Sequence, residues 1–309
     1  MFNTILVPLD GSELAERALP YARLLANPTI GQIILVRAAT AHAGLLGSEL
    51  EAEAHAVGEA EAYLHKMASG SADAAPTIQT DVYYGTAAEG IRDEAGLRRA
   101  GAIVMSTHGR SGLSRLVYGS VAEHVLREMH LPVLLLPPRC ERSWPVPNPR
   151  IVLPLDGSRV AEAAIEPAVA LARQLNASIL VLSSAQPAVN LGYPDPALSE
   201  LPDAYELAES ETREYLAAAQ RQLQPRGVAV STMLRVGNPA TAIVEAAADP
   251  GTAAVVMTTH GRTGLARLVL GSVAEEVVRH AETPVLVVPA FSHERARALA
   301  AQPRLATAM

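Results

Sequence analysis

The chain has 309 residues with a formal net charge of −7, 49% hydrophobic, 18% charged and only 4% aromatic residues. That composition excludes a disordered chain and a polyanion-binding one, and the scarcity of Phe, Tyr and Trp argues against stacking platforms for single-stranded nucleic acid. At about 150 residues per domain the length predicts two domains.

The first strand signal is Thr4–Pro8, followed by a helical pattern over Glu13–Ala26. Strand runs then fall at Ile33–Ala38, Thr77–Tyr83, Ala102–Ser106 and Val133–Leu136, with helical patterns at Ser48–Ala68, Ala87–Arg99 and Val121–Glu128 between them. Short Val/Ile/Leu runs alternating with longer helical stretches imply βαβ units and a parallel sheet covered on both faces. The second half repeats the series with Arg150–Pro154, Ser178–Ser183, Ala229–Arg235, Ala254–Thr258 and Val285–Val288. The predicted fold class is α/β: two tandem doubly wound domains, each a five-stranded parallel sheet with helices on both faces.

The halves are copies of one another. Residues 4–12 (TILVPLDGS) recur at 150–158 (RIVLPLDGS), an offset of 146. Residues 107–138 recur at 259–290, an offset of 152, and agree at 20 of 32 positions, too many for two unrelated segments of one fold. A net six-residue insertion must therefore lie between the motifs of the second half, and the turn-rich Tyr193-Pro194-Asp195-Pro196 is its expected place. Predicted boundaries are 1–138, a linker over 139–149, 150–290 and a tail over 291–309. The boundary segment Pro137–Pro149 holds five prolines in thirteen residues and reads as an extended, stiff connection. The last strands of the two halves are apolar on both faces, so they are expected to pair with each other about a pseudo-two-fold axis, an intrachain pseudo-dimer. A homodimer of the whole chain is expected in addition, because symmetric association is common.

The single cysteine, Cys140, excludes an internal disulfide framework and favours a reducing compartment. The opening segment has neither a basic nor a long apolar leader region, and no run of about 18 apolar residues occurs, so a cytoplasmic protein with no membrane partner and no nucleic-acid partner is predicted.

Two loops per half point beyond packing. Pro8-Leu9-Asp10-Gly11-Ser12 and Pro154-Leu155-Asp156-Gly157-Ser158 each follow a first strand. They read either as strand-to-helix turns with Ser12 and Ser158 as N-caps, or as placing Asp10 and Asp156 against a ligand or metal where the strand order reverses. The second loop runs Met105-Ser106-Thr107-His108-Gly109-Arg110-Ser111-Gly112 to Gly119-Ser120-Val121, repeated as Met257-Thr258-Thr259-His260-Gly261-Arg262-Thr263-Gly264 to Gly271-Ser272-Val273. Its glycines would let backbone amides approach a phosphate at a helix N-terminus. The competing reading is a capping box, Ser120-x-x-Glu123 and Ser272-x-x-Glu275, which would occupy two of those amides. His108 and His260 lack further ligands at metal spacing and read as loop braces. Arg110, Arg262, Arg115 and Arg267 flank the glycines.

The strand-P-L-D-G-S unit, the T-H-G-R-[ST]-G-L-x-R-L-x-x-G-S-V loop and the P-V-L-x-V-P strand together resemble the universal stress protein family, in its tandem type. The resemblance covers about residues 1–138 and 150–290 and implies a Rossmann-like fold akin to the adenine nucleotide alpha hydrolases. The ATP-binding branch carries G-x-x-G, nine residues, then G-[ST]. Gly109 with Gly119-Ser120, and Gly261 with Gly271-Ser272, match it, while Ser106 and Thr258 stand in place of the leading glycine. The resemblance implies ATP as ligand in each half, with adenine read near Ala38 and Ser184 and phosphate at the glycine turns. It also implies a nucleotide-bound divalent ion such as Mg2+ reached by Asp10 and Asp156. An ATP-binding stress-response regulator without committed catalysis leads. A slow ATPase or nucleotide-dependent transferase, and a scaffold that binds a partner but no nucleotide, remain as alternatives.

Overall fold

The computed structural model describes residues 2–40, 49–69, 76–109, 118–186, 202–259 and 270–289. The first half comprises β1 Thr4–Pro8, α1 Glu13–Glu16, α2 Ala18–Leu25, β2 Gln32–Ala39, α3 Glu49–Ala68, β3 Thr77–Tyr84, α4 Ala87–Leu97, β4 Ala102–Ser106, α5 Ser120–Glu128 and β5 Val133–Leu136. The second comprises β6 Arg150–Pro154, α6 Arg159–Glu162, α7 Ile165–Leu175, β7 Ser178–Ala185, α8 Pro202–Leu223, β8 Val230–Val236, α9 Pro239–Ala248, β9 Thr252–Thr258, α10 Ser272–His280 and β10 Val285–Val288. The Tyr193–Pro196 turn and the tail 291–309 lie outside the described residues.

One predicted helix is two. The pattern over Glu13–Ala26 breaks at Arg17 because Pro20 has no N–H to donate and its ring would meet the carbonyl of Glu16 four residues back. Pro167 does the same in the second half, where α6 ends at Glu162 and α7 begins at Ile165.

All ten strands form one sheet in the order β3-β2-β1-β4-β5-β10-β9-β6-β7-β8. Each half is parallel throughout, and the junction is antiparallel, with Val285 opposite Leu135, Leu286 opposite Leu134 and Val287 opposite Val133. Both junction strands are buried on both faces, which removes the edge that either half alone would expose. α1, α2 and α3 share one side of the sheet with α6, α7 and α8, and their apolar faces form a continuous core with Leu134, Leu136 and Leu286. α4, α5, α9 and α10 cover the other side, and their core likewise runs across the junction.

The proline-rich connection contains no helix or strand, yet it is not a free strut. Cys140 and Trp144 are buried in it. The Trp144 indole N–H donates to the Ala253 carbonyl at 2.8 Å, and its ring meets Tyr21 edge-on with centroids 5.2 Å apart. The Tyr21 hydroxyl donates to the Arg142 carbonyl, and the Arg142 guanidinium donates to the carbonyls of Pro250 at 2.9 Å and Ala248 at 3.3 Å. The segment thus pins α2 of the first half to the start of β9 in the second. Trp144→Ala should cost about 3–5 kcal/mol, the range for truncating a buried tryptophan. Urea unfolding followed by circular dichroism reads this, since the only tryptophan is then gone. A loss below about 1 kcal/mol would show that the strap merely lies on the surface.

Candidate functional site

In each half the chain visits strands outward in one direction and then returns past the first. The strand order reverses between β1 and β4, and again between β6 and β9. Loops leaving adjacent strands there turn to opposite faces, which opens a crevice at the carboxyl ends. A cleft occupies each position.

The first cleft, about 250 Å³, is lined by Pro8, Leu9 and Asp10 after β1, Ala38 on β2, Met105, Ser106, Thr107 and Gly109 around the end of β4, and Gly119, Ser120 and Val121 at the start of α5. The second, about 510 Å³, is lined by Pro154, Leu155 and Asp156, Ser184 on β7, Met257, Thr258 and Thr259 after β9, and Gly271, Ser272 and Val273 at the start of α10. Arg110, Gly112, Gly261, Arg262 and Gly264, with His260, Arg115 and Arg267, lie outside the described residues.

The P-L-D-G-S loop is built the same way twice. Asp10 Oδ1 accepts from the Ser12 backbone N–H at 2.9 Å and from its hydroxyl at 2.6 Å, and Ser12 Oγ in turn accepts from Ala15 N–H to cap α1. Asp156 and Ser158 repeat these bonds at 2.9 and 2.6 Å, with Ala161 as the capped residue. The N-cap and the carboxylate placement are therefore one device: the serine that starts the helix also fixes the aspartate at the cleft. Gly11 and Gly157 have φ of 85° and 82°, a backbone that a side chain would strain.

Gly109 is required for a different reason. A Cβ there would overlap the Asp10 carboxylate, so a glycine is what allows the two loops to close on each other. Ser106 donates its hydroxyl to the His108 carbonyl at 2.6 Å, and Thr107 Oγ1 lies 3.1 Å from His108 Nδ1. Thr107 is further tied to the Leu136 carbonyl by its N–H at 3.1 Å and its hydroxyl at 3.2 Å. The His108 ring and backbone are thus held within the loop, and Ser106, where the family pattern has glycine, braces that loop.

The capping box does not form. The N-caps of α5 and α10 are Gly119 and Gly271, which have no side chain to cap with, among the described residues no other side chain caps either helix, and Ser120 and Ser272 are the first helical residues. The reason lies one step earlier: Gly119 and Gly271 donate their N–H to the carbonyls of Thr107 and Thr259, both at 2.7 Å, which sets the helix start one residue before the serines. Each helix end points its positive pole into its cleft. A Cβ on Gly119 would make only ordinary contacts with the Thr107 carbonyl, so neither sterics nor φ demands glycine there; what the glycine leaves open is space in the cleft. Asp10 and Asp156 line the clefts that these helix ends open onto, and among the described residues no group of three or more His, Cys, Asp or Glu could hold a metal alone. A divalent ion fits only as Mg2+ commonly binds, through one or two carboxylates and ligand phosphates.

The sequence reading missed the cleft walls. Val36, Ala87, Gly90 and Ile91 line the first cleft, and Leu182, Ser183, Gln186, Ala208, Glu211, Thr212, Tyr215, Pro239 and Ile243 line the second. The signal for Ala87, Gly90 and Ile91 was their i, i+3, i+4 spacing on α4. Tyr63 donates to Glu16 at 2.9 Å and its counterpart Tyr215 to Glu162 at 3.4 Å. Burial first, and then the carboxylate beside it, holds each phenol well above its ordinary range, so both stay protonated donors at physiological pH.

The sequence model of the universal stress protein family matches residues 1–137 and again residues 147–289. Universal stress protein MJ0531 of Methanocaldococcus jannaschii is 37% identical over 139 residues, covering 45% of this chain and 81% of that protein. Universal stress protein Rv1996 of Mycobacterium tuberculosis is 27% identical over 242 residues, 78% of this chain and 74% of that protein. The crystal structure of a universal stress protein from Archaeoglobus fulgidus has the same fold, with a TM-score of 0.72 at 19% identity over 94% of this chain and 99% of its own. With the family's unit matched twice along one polypeptide, this chain belongs to the universal stress protein family.

Proposed function

We propose that this protein is an ATP-binding regulator of the stress response, with one nucleotide site in each half and no committed catalysis. The observation that carries this reading is that α5 and α10 each open from a glycine N-cap onto a cleft at a strand-order reversal that also holds an aspartate. Helix poles of this kind attract phosphate. Ser120-Val121 and Ser272-Val273 supply the amides, with Gly119 and Gly271 before them engaging Thr107 and Thr259. Gly109 keeps the first loop close to Asp10, and Gly112, Gly261 and Gly264 are assigned to the same phosphate loops from the sequence pattern alone. Arg110 and Arg262 neutralise phosphate charge. The nucleoside then lies further along each cleft against apolar walls, Val36 and Ile91 in the first half and Leu182 and Ile243 in the second, with the base near Ala38 and Ser184. Asp10 and Asp156 hold a phosphate-bound Mg2+. ATP supplies the signal by its presence; this chain's own residues bind it, orient it and exclude water.

Gly119→Glu should remove ATP from the first site alone, by bulk and by charge repulsion at the helix pole, and Gly271→Glu from the second. Titration calorimetry with magnesium should give two ATP per wild-type chain, one per single variant and none for the folded double variant. Wild-type protein that binds no ATP would falsify the reading. ATP turnover well above buffer hydrolysis, lost in the double variant, would make the protein an enzyme.

Asp10→Asn should weaken ATP at the first site at least about 10- to 100-fold in magnesium, since losing a carboxylate that holds the ion costs no less than disturbing the groups behind one. In EDTA the loss should largely vanish, because the carboxylate then faces phosphate without an ion. Equal loss in both buffers would assign Asp10 to the nucleotide itself.

A further inference from the structure

The two clefts are repeats in sequence but not in size, and one substitution stands where their described linings diverge. β2 and β7 align at the offset of 146, so Arg37 and Ser183 are counterparts. In the first half the Arg37 guanidinium stands 4.5 Å over the Tyr63 ring, half-buried, on the side of the sheet that carries α3. That stacking fills the space between β2 and α3, and neither residue lines the first cleft. In the second half the buried Ser183 leaves that space open, and the cleft extends past Asp156 to reach Ala208, Glu211, Thr212 and Tyr215 on α8, with Gln186 at the strand end. The second cleft is about 510 Å³ against about 250 Å³ for the first. An apolar cavity of about 150 Å³ already admits a benzene ring.

The side compartment has a definite chemistry. Hydroxyls of Ser183, Thr212 and Tyr215 and the amide of Gln186 offer hydrogen bonds, Glu211 adds a carboxylate, and no described arginine or lysine lines it. An uncharged group can enter it; a further phosphate would meet the Glu211 carboxylate, and among the described residues no arginine or lysine lines the compartment to offset it. Its position is set by Ser183, the neighbour of Ser184, on the nucleoside side of the cleft and away from the α10 pole.

We infer that the second site is specific for an adenine nucleotide whose nucleoside end carries an uncharged, hydrogen-bonding extension, and that Arg37 closes the first site to the same ligand. This rests on the reading of both clefts as nucleotide sites, and the test separates the two. The probe is 2′(3′)-O-(N-methylanthraniloyl)-ATP, an ATP whose ribose bears an uncharged aromatic ester, titrated by fluorescence beside unmodified ATP by calorimetry. Wild-type protein should bind two ATP and one analogue per chain. Arg37→Ser should raise the analogue to two while ATP stays at two, and Ser183→Arg should lower the ratio of analogue to ATP affinity at the second site at least tenfold. Arg37→Ser is decisive alone, since it removes no core side chain. Two analogues per wild-type chain, none, or a count unchanged by Arg37→Ser with two ATP still bound, overturns the inference. Absence of ATP binding in the wild type overturns the reading of the clefts instead.

Discussion

The pairing of β5 with β10 is the contact on which the architecture depends. A parallel five-stranded sheet wound in the order β3-β2-β1-β4-β5 ends on a strand whose two faces are covered by helices and whose free edge still carries unpaired N–H and C=O groups. Val133–Leu136 is too apolar to leave that edge in water, and its copy Val285–Val288 has the same defect. A two-fold operation joins them, and a two-fold reverses strand direction, so the junction is antiparallel where all else is parallel. Two consequences follow. The carboxyl ends of the two sets of strands point to opposite rims of the sheet, which places the two clefts at opposite rims. β6 also starts on the rim where β5 ends, three strand spacings away, about 14 Å.

That distance explains the strap. Thirteen residues from Pro137 to Pro149 are far more than an extended chain needs to cross about 14 Å. The surplus is packed against the molecule, with Trp144 on the Ala253 carbonyl and Arg142 on the end of α9. Proline content predicted an extended, stiff connection without regular structure; the segment has no helix or strand, but its surplus length is packed against the molecule rather than drawn out. The composition carried no sign that the segment is half core, because a lone Trp and a lone Cys between prolines have no period from which a buried face can be read.

The sheet was legible for the same reason that the junction exists. Strands buried on both faces are continuous apolar runs, and β1, β4, β5, β6 and β10 begin and end where those runs do, except where backbone pairing extends a strand past its apolar residues, as at Gln32 on β2 and Thr252 on β9. The motif loops were legible because glycine and aspartate at fixed spacing have few other uses. Two things were not. The register of a helix start depends on which backbone N–H the preceding loop engages, and the Gly119-to-Thr107 bond moved Ser120 from cap to first helical residue. Cleft walls contributed by α4, α8 and α9 come from segments distant in sequence, and their residues look like ordinary core until the chain is folded.

Duplication within one chain separates what must stay alike from what can differ. At the junction each copy is the other's environment: Leu135 faces Val285 and Val133 faces Val287, so a charge or a bulky change in either strand breaks pairing for both halves. The rims have no such mutual constraint. Arg37 touches Tyr63 and Ser183 borders an open cleft, and neither position reaches across to its counterpart. A fused pair can therefore hold one sheet and one core in common while each rim is shaped for its own ligand. A homodimer of single units could not do this, since any substitution appears at both sites at once.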